Sequence, residues 1–342
     1  MNFSEAIKDA TLKVLGKSKK NLLFGLEVTN VGAGYEEKYS EQVYETPLSE
    51  AASTGLVVGL ATQGFKPQIV FGRVEFALLA FDLIFTQAGR WAYTFGDKSK
   101  CSVNFRIQIG RQWGNGPQHT ANYHSIFLQA YGIDVFIPST PKEAYEHILY
   151  MNKLNHPSVM LEHRYLTLIK ENFKITTKIK KPYNAKIYHD NKKSDLLLIT
   201  YADTLIEALK AKKILKKSGI NVAVLNFSYF SNKNKIDKKN IKFIEKFKNL
   251  LFIDSAPFEF GILSGVMSII SVKSSKKHNY YFSSPPNTPA PAGVSLIKDY
   301  YKTYNDIVST SCKILKKKRI KPNKESFDEK ILWPTDNIEL LR

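Results

Sequence analysis

One uncharged stretch constrains this chain more than any other: Ala51-Ala52-Ser53-Thr54-Gly55-Leu56-Val57-Val58-Gly59-Leu60-Ala61. Its length and its small, aliphatic residues describe a helix, and a helix without a polar face is buried on nearly every side. Ahead of it runs Tyr44-Glu45-Thr46-Pro47-Leu48-Ser49-Glu50, where Thr-Pro forms an extended or turn approach and Ser49 is a candidate cap. Glu50 is the last charge before the buried run. Ionised groups in such places are seldom left without a task. The residues alone leave two readings open. Glu50 either complements the helix dipole or is a functional acid whose pKa burial raises.

The rest of the chain alternates strands and helices. Apolar runs at 21–28, 66–71, 102–107, 134–137 and 158–162 read as strands. Between them lie a glycine-bearing loop from Val31 to Tyr35, the 51–63 helix, and an apolar-aromatic segment at 76–85 of helical length. A polar, glycine-rich loop at 110–119 follows, then a helix at 125–131 and another opened by Pro141. Ser4 is a possible cap for an amphipathic helix at the N-terminus. A polar, lysine-rich stretch containing Lys180-Lys181-Pro182 separates this unit from a second one. The second unit has strands at 196–201, 221–227 and 250–254, and a helix at 204–217 stopped by Gly219. At 342 residues the chain is long enough for two domains. The expected division is 1–170 for the first domain, 171–195 for a linker, 196–315 for the second, and 316–342 for a basic extension. Alternating strands and helices imply α/β layers with mostly parallel sheets.

The formal charge of +19 invites a nucleic-acid partner. The basic residues, however, are almost all lysine and concentrate after residue 167. Arginine is the better residue for bidentate phosphate and base contacts, and no nucleic-acid motif accompanies the lysines. No specific nucleic-acid role is expected. Cys101 and Cys312 stand far apart without metal-ligand or redox spacing, so a reducing cytoplasm is the natural setting. No apolar run reaches the ~20 residues of a membrane span, and the N-terminus lacks the form of a signal peptide.

The run TPLSE-AASTGLVVGLATQGFKPQIVF resembles the start of the pyrimidine-binding domain of thiamine-diphosphate enzymes, above all the beta subunit of the 2-oxo acid dehydrogenases of pyruvate and branched-chain type. Gly116-Pro117-Gln118-His119 resembles that family's histidine loop, and 285–301 resembles the signature late in its second domain. The resemblance implies two three-layer α/β domains, a transketolase-like pyrimidine-binding fold followed by a transketolase C-terminal-like fold. It also implies that Glu50 holds the proton at N1′ of the cofactor's aminopyrimidine, that Phe76 stacks on the ring, and that Glu27, Leu48 and Gly72 complete the cofactor site. His119 would face the substrate and assist acyl handover. His124, in Tyr123-His124-Ser125, is its rival, but taking it would require a deletion before Gly132, so His119 is preferred. His147, His156 and His163 have no comparable setting.

Departures from the family pattern limit what the likeness implies. Val70, Phe71 and Gly72 stand where the family has a glutamate-phenylalanine strand end and a bulky residue. Arg106 of the family's RGPNG loop is kept, but Ile107-Gln108-Ile109-Gly110 replaces the rest. Leu154 stands in the turn that binds potassium in the family, which removes a hard oxygen ligand. Ser228-Tyr229-Phe230-Ser231 replaces a family stretch in the second domain. No GDG motif for Mg²⁺ and diphosphate occurs, and Gly96-Asp97-Lys98 is the nearest match. No metal site of its own is therefore expected, and Mg²⁺ would come through a partner alpha subunit in an α2β2 assembly. The expected function is oxidative decarboxylation of a 2-oxo acid such as pyruvate, with the acyl group passed to a lipoyl carrier of an acyltransferase. The alternatives are half of a split transketolase-like or decarboxylase enzyme, or a non-catalytic assembly subunit.

Overall fold

The structure is a computed structural model that describes residues 1–29, 34–96, 98–111, 115–175, 179–190, 193–233, 235–324 and 334–342. Most of the Val31 loop, Asp97, part of the 110–119 loop, and Ile331-Leu332-Trp333 lie outside the described residues. Apolar runs become strands where both faces of a sheet are covered. The first unit holds β1 (Asn21–Gly25), β2 (Val43–Glu45), β3 (Lys66–Phe71), β4 (Asn104–Ile109), β5 (Asp134–Phe136) and β6 (Ser158–His163). The second holds β7 (Ala185–Tyr188), β8 (Leu196–Tyr201), β9 (Ala223–Phe227), β10 (Tyr229–Phe230), β11 (Asn249–Ile253) and β12 (Asn279–Ser283).

The first sheet has the order β10-β5-β6-β4-β3-β1-β2, with β1 to β6 all parallel. Its outermost strand is lent by the second unit, since β10 pairs antiparallel with β5 through Tyr229↔Phe136 and Phe230↔Val135. The second sheet has the order β12-β11-β8-β9-β7, with only β7 antiparallel. β7 falls inside the 171–195 stretch expected as a linker, so the second sheet begins there. An apolar cluster runs without a break from Leu22 and Phe105 in the first unit to Tyr201, Phe227 and Phe252 in the second. Among the described residues no helix is long and apolar enough to cross a membrane.

Several local expectations are corrected. The Phe3–Leu15 helix is capped by Asn2 rather than Ser4, through a reciprocal capping box with Glu5. Ser49 occupies the N-cap position of the Glu50–Thr62 helix but its side chain makes no capping bond. That helix is not buried on every side: Val57, Val58 and Ala61 face the core, whereas Ala51, Ala52, Leu56 and Gly59 are exposed. None of the described residues covers that face. The 76–85 segment is not one helix. It splits into Val74–Ala77, a 3₁₀ turn at Leu78–Ala80 and a π-helix at Asp82–Ala88. The wider winding lets Phe81 and Phe85 both pack on Phe127, with ring centroids 5.7 and 5.8 Å away, while Gly89 passes Tyr131 O too closely for a side chain. The helix expected at 125–131 is the single turn His124–Phe127.

The junction between the units is polar and buried. His124 Nε2 donates to the Tyr201 hydroxyl, which donates to Asp254 Oδ1. Asp254 also accepts the N–H groups of Ala256 (2.9 Å) and Leu263 (3.2 Å). Burial pushes the Asp254 carboxyl up to about 6 and the His124 imidazole down to about 3. Beside this chain, His163 Nε2 lies 3.3 Å from Asp203 Oδ1, and the Arg111 guanidinium stands over the rings of Tyr165 and Tyr301 at 3.8 and 4.6 Å. Gly110, at φ +81°, is required here, because a Cβ would lie 2.1 Å from His163 Nε2. The end of the basic extension also folds back onto its own chain. Ile338 is fully buried among Phe3, Leu166 and Ile206, and Arg342 pairs with Glu171.

Candidate cofactor-binding site

Parallel α/β sheets offer ligand sites at the carboxyl ends of their strands. In the first sheet the ends of β2, β1 and β3 enclose a pocket of about 230 Å³. Glu27, Leu48, Glu50, Gly72, Phe76 and His119 all line it, together with Leu26, Ser53, Ile69, Phe71 and Arg73. The structure thus brings together every residue singled out for a cofactor or catalytic role. His124 does not line the pocket; it belongs to the junction described above.

Each side chain is positioned by a different element. Glu50 opens the Glu50–Thr62 helix and is only half-buried, against the buried carboxylate expected. The reason is the same uncovered helix face. Phe76 lies on the Val74–Ala77 turn, and its ring meets the His119 imidazole edge-on with centroids 5.8 Å apart. Glu75, next to Phe76, accepts the Ala121 N–H at 3.0 Å and so ties the His119 loop to the end of β3. Glu27 sits just past β1 with φ +61°, a left-handed conformation that costs a non-glycine residue about 1–3 kcal/mol. The Glu45 carboxylate holds this turn by accepting the Glu27 N–H and the Thr29 hydroxyl, the latter at 2.8 Å. Burial opposes ionisation of Glu45, but these donors win and hold its pKa below the usual range.

The pocket has apolar walls from Leu26, Ile69, Phe71 and Phe76 and a small number of polar atoms directed inward. Ser53 Oγ and His119 Nδ1 are buried without a hydrogen-bond partner among the described residues. Such orphans fit a flat ring with a polar edge, which would satisfy them. Among the described residues no three His, Cys, Asp or Glu side chains gather as metal ligands. Sequence reasoning missed Ser53, Arg73 and Glu75. Arg73 carried a signal, being the first arginine in a chain whose basic residues are almost all lysine.

Comparison with known proteins agrees with this architecture. Residues 1–168 match the family model of the transketolase pyrimidine-binding domain, and residues 185–307 match that of the transketolase C-terminal domain. The pyruvate dehydrogenase E1 component subunit beta of Saccharomyces cerevisiae mitochondria is 28% identical over 293 residues, covering 82% of this chain and 78% of that protein. The subunit of the same description from Staphylococcus aureus is 30% identical over 236 residues, covering 66% and 71%. A solved structure described as a split gene transketolase, inactive beta4 tetramer, superposes with a TM-score of 0.73 at 17% identity, over 92% of this chain and 98% of that one. The chain belongs to the transketolase-like family that includes the beta subunits of the pyruvate dehydrogenase E1 component.

Proposed function

We propose that this chain is the beta subunit of a thiamine-diphosphate-dependent 2-oxo acid dehydrogenase. The observation that carries this reading is the convergence of Glu50, Phe76 and His119 on one pocket at the carboxyl edge of the first sheet. Bound thiamine diphosphate supplies the carbon nucleophile that accepts the acyl fragment of a 2-oxo acid as CO₂ leaves. Glu50 holds or returns a proton at the N1′ atom of the aminopyrimidine. Phe76 orients the ring, with Leu26, Ile69 and Phe71 excluding water. His119, whose Nδ1 has no partner among the described residues, is placed to donate or accept a proton on the substrate side.

A second chain completes the site. Leu48 is 81% exposed and Leu56 56% exposed, and both lie beside Glu50 on the uncovered face. An alpha subunit seated there would bury Glu50 and bring the Mg²⁺ and diphosphate ligands this chain lacks. The names of its relatives favour a pyruvate-like substrate, and the acyl acceptor in this reading is a lipoyl carrier. Co-expression with the alpha subunit, followed by assay of CO₂ release from a panel of 2-oxo acids, tests the reading. Cofactor-dependent release supports it. A complex that binds thiamine diphosphate yet decarboxylates no 2-oxo acid overturns it.

A further inference from the structure

The pocket around Glu50 has to admit an anion. A 2-oxo acid carries a carboxylate at neutral pH, bonded directly to the keto carbon that reacts. Two carboxylates, Glu27 and Glu50, already line the pocket, and like charges in a partly desolvated space repel a third. Among the described residues that line it, Arg73 is the one that carries a positive charge at any working pH. The chain delivers it there directly: β3 ends at Phe71, and Arg73 takes the N-cap position of the Val74–Ala77 turn that presents Phe76.

The Arg73 guanidinium is held but not satisfied. Its Nη1 donates to the adjacent Gly72 O, and its Nε is buried without a hydrogen-bond partner among the described residues. Glu75 does not close this gap. One of its oxygens accepts the Ala121 N–H, and the other, Oε2, makes no hydrogen bond among the described residues. Burial lowers the pKa of Arg73 against the opposing charge of Glu75. A buried donor left in this state is costly unless an acceptor arrives. There is room for one, since a Cβ built on Gly72 would meet nothing within 4 Å. Arg73 also borders a larger cavity of about 660 Å³, which Arg106, Glu162 and Arg164 line as well.

We propose that Arg73 is the anchor for the substrate's own carboxylate, the group next to the keto carbon, and so the residue that selects 2-oxo acids over neutral ketones and aldehydes. This deepens the reading above and rests on it for the position of the reacting carbon. A guanidinium suits the task because it offers donors in a fixed plane to both oxygens of a carboxylate. The bond between that carboxylate and the keto carbon later breaks, its electron pair stays with the acyl carbon, and the carboxylate departs as neutral CO₂. The ion pair is therefore strongest in the bound substrate and fades as the bond breaks, so Arg73 serves binding and not the rate of cleavage.

Two measurements on the assembled complex test this. The first is turnover of pyruvate, or of the 2-oxo acid that the panel above selects. Arg73→Gln should raise KM about tenfold or more, as for loss of a hydrogen-bonded charge pair, and change kcat less than about threefold. Arg73→Lys keeps the charge and loses the fork; it should fall between, and it keeps the test open if the glutamine variant does not assemble. An unchanged KM, or a fall in kcat at constant KM, overturns the proposal. The second is calorimetric titration of the cofactor-loaded complex with methyl acetylphosphonate, a monoanion shaped like pyruvate that cannot release CO₂, and with its neutral dimethyl ester. The wild-type complex should bind the monoanion about tenfold or more tightly than the ester, and Arg73→Gln should lose that preference. No preference in the wild type, or one retained in the variant, overturns the proposal. So does a loss of thiamine diphosphate affinity larger than the loss for the monoanion, which would assign Arg73 to the cofactor's diphosphate. A complex that releases CO₂ from no 2-oxo acid removes the dehydrogenase reading, and the titration still decides the role of Arg73.

Discussion

At the scale of single residues, Glu50 separates a catalytic from a structural pocket. Glu50→Gln keeps size and packing but cannot exchange a proton with the pyrimidine nitrogen. The assembled complex should still bind thiamine diphosphate within about tenfold, while hydrogen–deuterium exchange at the cofactor's C2 slows by roughly 10²–10⁴. A carboxylate serving only the helix terminus contributes about 0.3–1 kcal/mol, so unchanged exchange with a slightly lower melting temperature would remove Glu50 from the chemistry. Glu50, Phe76 and His119 were legible in the sequence because their spacing resembles a family pattern and their elements follow one another along a single sheet edge. Arg164 was not, since it stands 91 residues from Arg73 and lines a cavity with it only because β4 alone separates β3 from β6. Nor was the pairing of His163 with Asp203, which joins two units that the sequence reads separately. Capping by Asn2 instead of Ser4 turned on which of two polar side chains, two residues apart, faces the first turn, a choice that composition does not encode.

Among the elements, the Glu50–Thr62 helix was recognised by its uncharged run, but the run carried no information about which chain would cover it. A Cβ on Gly59 meets nothing within 4 Å. Gly59→Leu should therefore leave the isolated chain as stable or up to about 1 kcal/mol more stable, since glycine is a poor helix former. The same substitution should block assembly with the alpha subunit, seen as loss of the heterotetramer in size-exclusion chromatography. Retained assembly would mean that the partner sits elsewhere. The Pro141–Met151 helix makes a different prediction because it carries two oppositely perturbed groups. Burial, with the charges of Glu171 and Glu146, pushes Glu143 from 4.5 up to about 7, while burial alone pushes His147 from 6.5 down to about 3. A raised carboxyl stabilises the fold fully below 4.5 and loses that contribution as pH rises through 7; a lowered imidazole contributes above 6.5 and loses it as pH falls. Glu143→Gln can still accept the Ser139 N–H. It should flatten the stability decline between 4.5 and 7 and add of order 1 kcal/mol above 7, measured by urea unfolding at several pH values. An unchanged profile would show that Glu143 is ionised in the folded chain.

For the whole molecule, the two units are joined by a continuous apolar cluster, a buried polar junction and a returning C-terminus. Ile338 packs on Phe3 and Leu166 of the first unit and Ile206 of the second. Ile338→Asp places a charge where no water reaches, so it should cost about 3 kcal/mol or more and lower the urea midpoint of both units together. An unaltered midpoint would make the tail dispensable. The lysine-rich composition gave no sign of this, because a single buried isoleucine in a charged tail looks like any other surface residue. The strand β10 has a consequence for how the chain is made. The first sheet contains six strands by residue 163, yet its β5 edge stays open until Tyr229 and Phe230 have left the ribosome. During synthesis the emerging first unit therefore exposes an unpaired apolar edge of the kind that invites pairing between nascent chains. Its completion waits on a segment nearly a hundred residues downstream of β5, so the two halves mature as one cooperative object rather than in turn.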